Sequence, residues 1–289
     1  MRFHKPILEL IRRASTQLPA DVLKAIQRQR DSEEPGSTPR GILDTVEKNI
    51  RLARRNGTPV CQDTGIPVFS VSHPAEMDQE EIVTAIKWSV RQATQQNFLR
   101  PDAVDSITGV NTGNNIGLGF PAIRLHQWGR QFLKVGLLLK GCTSELYSAQ
   151  YALPHRETGA GRDLDGVRRT VLYAIHQARG RGCAPSVIGV GLGGTRSSGY
   201  QLADQQLFRK LDDENPTPLL ARLEDDLLQQ GNRLDIGPMG LGGRSTVLAV
   251  KIGNEHRLPA SCFVSVTTMC WACRRKTMKL YPDGEARYA

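Results

Sequence analysis

Six cysteines, Cys61, Cys142, Cys183, Cys262, Cys270 and Cys273, carry the widest range of possible chemistry in this chain. Where the surroundings are reducing, thiols serve as small buried groups, metal ligands or nucleophiles. Cys270 and Cys273 have C-x-x-C spacing. A zinc site built on that pair would need a second Cys or His pair, and a redox dithiol would need a thioredoxin-like βαβ setting. Neither is present in the sequence, so the pair defines no site by itself. Cys61-Gln62-Asp63-Thr64-Gly65 places a thiol, an amide, a carboxylate and a hydroxyl in a row. Such a row can supply a ligand, a hydrogen-bond donor and a base, and alone it reads equally as an ordinary turn. Gly189-Val190-Gly191-Leu192-Gly193-Gly194 fits the glycine pattern of a dinucleotide loop, with Asp212 and Asp213 near the distance of a ribose carboxylate. It lies deep in the chain, outside a first βαβ unit, and close packing explains it as well. Arg100, Asn111 to Gly117, Lys140 to Ser144 and Gly237 to Gly243 are further loops suited to an anion. Each alone is a turn, and together they suggest backbone approaching a small polar ligand.

These loops need elements to hold them. Apolar residues at helical spacing predict helix over 1–30, broken near Pro19, and again over 41–55, ending at Asn56-Gly57. Residues 31–40 are a polar Pro/Gly/Ser loop. Further helices are expected at 78–95, 166–178, 200–211 and 219–230. Strands are expected at 68–71, 132–139, 186–190, 245–252 and 262–267. Residues 109–119 are too rich in glycine and asparagine for either element. No repeat or long linker divides the chain. The expectation is a mixed α/β (α+β) fold, one compact domain over residues 1–289, with sheets surrounded by helices and glycine-rich loops at the site.

The 289 residues carry 38 Lys+Arg against 29 Asp+Glu, a net charge of +9. That excess suits nucleic acid or a small anionic substrate. The basic residues are spread out, and the nearest block, Arg51, Arg54 and Arg55, has no interleaved aromatics, which favours a solvated helix face. Hydrophobic residues are 39% and charged residues 23%, a composition of folded domains. No apolar run reaches the ~20 residues of a membrane span, and the start lacks a secretory pattern. A cytoplasmic protein without membrane or nucleic-acid partners is expected.

The ordered set of motifs resembles the alpha subunit of class I fumarases and L(+)-tartrate dehydratases, which are iron–sulfur hydro-lyases. The resemblance runs through Cys61-Gln62-Asp63-Thr64-Gly65, Leu99 to Val104, Asn111-Thr112-Gly113, Lys140-Gly141-Cys142, Cys183-Ala184-Pro185, Gly189 to Thr195, Arg233 to Pro238 and Cys270 to Arg275. It implies that Cys61, Cys183 and Cys270 hold one [4Fe–4S] cluster, leaving one iron open as a Lewis acid. It further implies that Asp63 belongs to the base system, paired with a residue of a partner subunit, and that Gln62, Arg100 and Gly141 hold substrate. Cys262 and Cys273 are then core or neighbouring residues, and Cys142 stays unassigned.

The implied reaction is reversible dehydration of a small 2-hydroxydicarboxylate, malate to fumarate or tartrate to oxaloacetate. By the same resemblance the rest of the site comes from a separate beta subunit, in an α2β2 assembly, or in single-chain relatives from a C-terminal domain, and this chain looks like half an enzyme. Three departures bear on substrate. Ala184 stands where the family usually has Pro, Asp102 where it has Asn, and Leu258 where it has His, with His256 two residues earlier. The cluster ligands are unaffected, while malate, tartrate and mesaconate or citramalate remain open. Two other readings are an NAD(P)-dependent oxidoreductase built on Gly189–Gly194 and a basic, non-catalytic binding protein.

Overall fold

Ile7, Leu10, Ile11 and Ala14 recur at helical spacing, and all four are fully buried on one stripe of α1 (His4–Thr16). A computed structural model describes residues 2–289. Contacts divide the chain into two units that interleave in sequence, with segments Asn49–Cys142 and Ala272–Ala289 joining the stretch that ends at Pro19, and Ala20–Lys48 joining Thr143–Trp271. Because the chain passes between the units within helices and short turns, no linker marks a boundary.

The first unit is built on a five-stranded sheet. Its strands are β1 (Ile66–His73), β2 (Ala122–Gln127), β3 (Leu133–Lys140), β8 (Arg275–Leu280) and β9 (Ala286–Tyr288), in the order β2-β1-β3-β8-β9. Only β1 and β2 run parallel; the other neighbours are antiparallel. Phe69, Val71, Val135, Leu137 and Met278 share one core with Ile7, Leu10, Ile82, Ile86 and Val90 from α1 and α4 (Gln79–Gln95). Asp78 caps α4, its side chain accepting from the Glu80 N–H.

In the second unit the sheet order is β4-β7-β5-β6, formed by β4 (Ala149–Leu153), β5 (Ser186–Leu192), β6 (Val247–Asn254) and β7 (Cys262–Met269). Strand β5 runs parallel to β6 and antiparallel to β7. The core joins Val171 and Ile175 of α6 (Leu164–Ala178) and Leu223 and Leu227 of α8 (Pro218–Asn232) to Ile188, Val190, Val250 and Val264. Helix α7 (Arg196–Gln206) starts at a capping box, in which Thr195 and Ser198 satisfy each other's backbone N–H groups. It therefore begins before Tyr200, the start expected from its apolar residues, and ends before Leu211. The unit also holds α2 (Ala20–Ser32), most of the short α5 (Cys142–Leu146) and the first part of α3 (Thr38–Asn56).

The mixed α/β class and the expected strands at 68–71, 132–139, 186–190, 245–252 and 262–267 are present. Among the described residues, the elements not expected are β2, β4, β8, β9, α5 and a 3₁₀ turn at Pro238–Gly240. Among the described residues no helix is long and apolar enough to cross a membrane.

Candidate active site

Register brings the loop of the first unit together. Ile66 at the start of β1 pairs with Lys140 at the end of β3, so Cys61–Gly65 and Gly141–Cys142 leave the sheet at the same end. Strand β8 begins there too, since Leu138 pairs with Arg275 and the Leu139 N–H donates to the Arg274 carbonyl at 3.0 Å. At this end the Asp63 carboxylate is held on both sides. Its Oδ1 accepts from the Gly65 N–H and its Oδ2 from the Cys142 N–H, each at 3.0 Å. Two charge-assisted bonds to fixed backbone orient it and leave lone pairs for a further hydrogen.

Two glycines make this arrangement possible. Gly65 has φ +84°, and a Cβ there would lie 2.8 Å from the Leu139 carbonyl carbon and the Lys140 oxygen. A Cβ on Gly141 would lie 2.9 Å from Asp63 Oδ2. A side chain at 141 would therefore displace the carboxylate, and only glycine lets the two lie this close.

Arg100 reaches the same loop, its backbone N–H donating to the buried Thr64 Oγ1 at 2.9 Å. Its side chain is half-exposed and its Nε lies 3.0 Å from Asp102 Oδ1. Burial pushes the Asp102 carboxyl above its ordinary range, Arg100 draws it back, and the Asp63 charge adds to the rise. The turn that presents Arg100 is organised by Asn115, which is fully buried. Its Oδ1 accepts from the Asp102 and Ala103 N–H groups, and its Nδ2 donates to the Arg100 carbonyl and Thr94 Oγ1. Asn111 likewise bonds the Pro101 carbonyl and the Gly113 N–H. The amides of this loop thus build the turn that carries Arg100. At the head of the Asp63 loop Cys61 is half-buried and Gln62 is exposed.

The second unit brings Cys183 and Cys270 together. The Trp271 N–H donates to the Cys183 carbonyl at 3.2 Å. Cys183 has φ +56°, in the left-handed region that non-glycine residues rarely enter. Such backbone concentrates at functional sites. Thr143 Oγ1 lies 3.9 Å from Cys183 Sγ, and the buried Ser144 Oγ accepts from the Cys270 N–H at 3.2 Å. Thr143 and Ser144 open α5, an element whose role beside the cysteines has no sequence signature. The glycine loop at 237–243 backs this turn: Met239 N–H donates to the Ala184 carbonyl, and a Cβ on Gly180 would lie 2.4 Å from Gly240 N.

No disulfide forms among the six cysteines; Cys262 and Cys273 are buried and Cys142 is exposed. Among the described residues no group of three or more His, Cys, Asp or Glu converges on a single metal ion. The thiols of Cys61 and Cys183 are partly sheltered and that of Cys270 is buried, with a hydroxyl beside Cys183 Sγ. Soft donors with hydrogen-bonding neighbours and limited solvent fit the chemistry of an iron–sulfur cluster.

The dinucleotide reading loses its basis. A Cβ on Gly189 would lie 2.4 Å from the Ala203 carbonyl oxygen, and one on Gly191 would lie 2.3 Å from that of Gly199. Both glycines let α7 lie close on β5. Asp213 is engaged by Arg209 and by Lys251 Nζ at 2.7 Å, beside a cavity of about 310 Å³ whose buried charges Lys251 and Glu224 answer one another. His256 is exposed, its carbonyl accepting from the Gly194 N–H, and Leu258 is 74% exposed.

A family model described as fumarate hydratase (Fumerase) matches residues 4–279. A putative fumarate hydratase class I of Geobacillus stearothermophilus is 44% identical over 285 residues, covering 98% of this chain and 55% of that protein. This chain thus spans about half the length of that relative. A putative L(+)-tartrate dehydratase subunit alpha of Methanocaldococcus jannaschii is 32% identical, covering 99% of this chain and 100% of that one. The L(+)-tartrate dehydratase subunit alpha of Escherichia coli strain K12 is 31% identical over 275 residues, covering 93% and 88%.

Proposed function

The chain belongs to the fumarate hydratase (Fumerase) family, and on that premise we propose that it is the alpha-type subunit of an iron–sulfur hydro-lyase acting on a small 2-hydroxydicarboxylate. The observation that carries this reading is the Asp63 carboxylate, fixed by the Gly65 and Cys142 N–H groups where β1 starts and β3 ends. Dehydration removes a hydroxyl from one carbon and a proton from its neighbour. An oriented carboxylate with free lone pairs is suited to the proton. Asp63 takes it, and the two backbone N–H groups keep the group aimed during transfer. Arg100 binds one substrate carboxylate through its guanidinium, exchanging its contact with Asp102 for the substrate. Gln62 and the Gly141 backbone hold the substrate's remaining polar groups.

Cys61, Cys183 and Cys270 are proposed as the thiolates that hold a [4Fe–4S] cluster. When bound, the cluster would supply Lewis-acid assistance to loss of the hydroxyl. A dicarboxylate needs more positive charge than Arg100 provides, which supports a beta subunit as partner, in an α2β2 assembly. The alpha-subunit names of two relatives support the same view. A cytoplasmic setting suits thiolate ligands, which oxidation would destroy.

The test is turnover under strictly anaerobic conditions. The chain is co-produced with its beta partner and assayed with malate, fumarate, L-tartrate and mesaconate. Turnover of one or more supports the reading. A complex with full iron content that turns over none of them overturns it.

A further inference from the structure

Arg274 is the largest side chain that the structure buries completely, at 1% exposure. Its Nη1 donates to the main-chain carbonyl of Asp63. Its Nε and Nη2 are buried with no hydrogen-bond partner, and no carboxylate among the described residues forms an ion pair with it. A buried cation with unused donors opposes folding, and a neutral side chain of similar length would pack there at lower cost. Stability therefore does not explain an arginine at this position.

Its placement does. Arg274 immediately precedes β8, whose pairing with β3 sets it under the loop that carries Asp63. A Cβ built on Gly141 would lie 2.9 Å from Asp63 Oδ2 and 3.7 Å from Arg274 Nη2. Guanidinium and carboxylate thus flank one point of the Gly141 backbone. Solvent does not reach the guanidinium, and neither does a substrate.

We infer that Arg274 is a positioning residue for the proposed reaction: it ties down the Asp63 carbonyl from below and so fixes the backbone from which the carboxylate projects. This rests on the reading of Asp63 as proton acceptor. The planar guanidinium fork serves the purpose because the direction of its donors is preset. The cost is a destabilised fold, a common exchange where a site must be held rigid.

The test uses the full chain, with R274M as the neutral variant of similar length and R274K as the conservative one. Three quantities are read: the thermal midpoint of the cluster-free chain, backbone hydrogen exchange over 61–65, and kcat and KM of the loaded complex. For R274M the expected midpoint equals or exceeds that of wild type. Exchange over 61–65 rises while that of β1 and β3 is unchanged. The expected fall in kcat is about 10- to 100-fold, the range for groups that orient a reacting residue, with KM held within about threefold and R274K recovering part of the loss. A lower midpoint with unchanged exchange over 61–65 would make Arg274 structural and overturn the inference. A rise in KM at constant kcat would also overturn it, by showing direct substrate contact. If loaded wild type lacked turnover, the hydro-lyase reading would fall, while the midpoint and exchange arms would still decide whether Arg274 orders this loop.

Discussion

At the scale of single residues, the account depends on one carboxylate and the groups that aim it. Replacing Asp63 by Asn removes the proton acceptor and, because an amide nitrogen cannot accept, one of the two backbone bonds that aim the group. Steady-state kinetics of D63N should show kcat lower by about 10²- to 10⁴-fold, the usual contribution of a general base, with the thermal midpoint lower by no more than one lost hydrogen bond explains. G141A should act on the same carboxylate from the opposite side, because its new Cβ would stand 2.9 Å from Oδ2. Asp102 gives a prediction with a sign. Its carboxyl is raised in the folded protein, first by burial, so above the ordinary value of 3.8 the folded state holds its proton more tightly than the unfolded chain. Stability contributed by this group is therefore lost as pH rises through that window. D102N should have a midpoint equal to wild type at acid pH and above it at neutral pH, and its KM for dicarboxylate should be lower, because Arg100 no longer has an internal anion at 3.0 Å. A KM unchanged in D102N would remove Arg100 from the substrate's contacts. Cys61, Asp63 and Gly141 were singled out in the sequence through the family resemblance of the ordered motifs, since the Cys61–Gly65 run alone reads as a turn; the structure adds that these loops leave the sheet at one end. Arg274 was not, since nothing in Cys273-Arg274-Arg275 marks a buried cation, and only the pairing of β8 with β3 shows that both arginines are buried.

Among the elements, the ends of strands decide where chemistry can occur. The starts of β1 and β8 and the end of β3 coincide because register is fixed by the buried faces of Val68, Val135, Leu137 and Met278. Strand β8 escaped sequence reading since Arg275-Lys276-Thr277-Met278-Lys279-Leu280 has few apolar residues, and its burial comes from its neighbours. The glycines of β5 looked like a ligand loop for the opposite reason: close approach of a helix and close approach of a phosphate both demand the missing Cβ. In the same unit Glu224, 5% exposed, accepts from the Ile252 N–H, Asn215 Nδ2 and Arg209 Nη1, each at 2.7 Å, tying α8 to β6. E224A leaves buried donors and cations unmatched, so chemical denaturation should show a loss of about 3–5 kcal/mol. That loss should come without any change in the iron bound by the surviving folded protein. A substitution costing under about 1 kcal/mol would show that the network is open to water.

For the whole molecule, the proposed ligands Cys61, Cys183 and Cys270 lie far apart along the chain. Spacing so long hides such a set from any short motif, and the proposal of it comes from the resemblance carried by the order of motifs along the chain. The net charge of +9 favours approach of a dianionic substrate, so kcat/KM should fall as salt is raised. The chain assayed alone should show far less turnover than the co-produced complex, because Arg100 alone does not balance two carboxylates. Above these stands the claim that three distant thiolates share one cluster. The most direct measurement is anaerobic iron and sulfide content, with the absorption spectrum, of wild type, C61S, C183S, C270S and C273S. The account predicts about four irons per chain in wild type and in C273S, and loss of the cluster in each of the other three. No iron after anaerobic reconstitution, or a full complement retained in C61S, C183S or C270S, would contradict it.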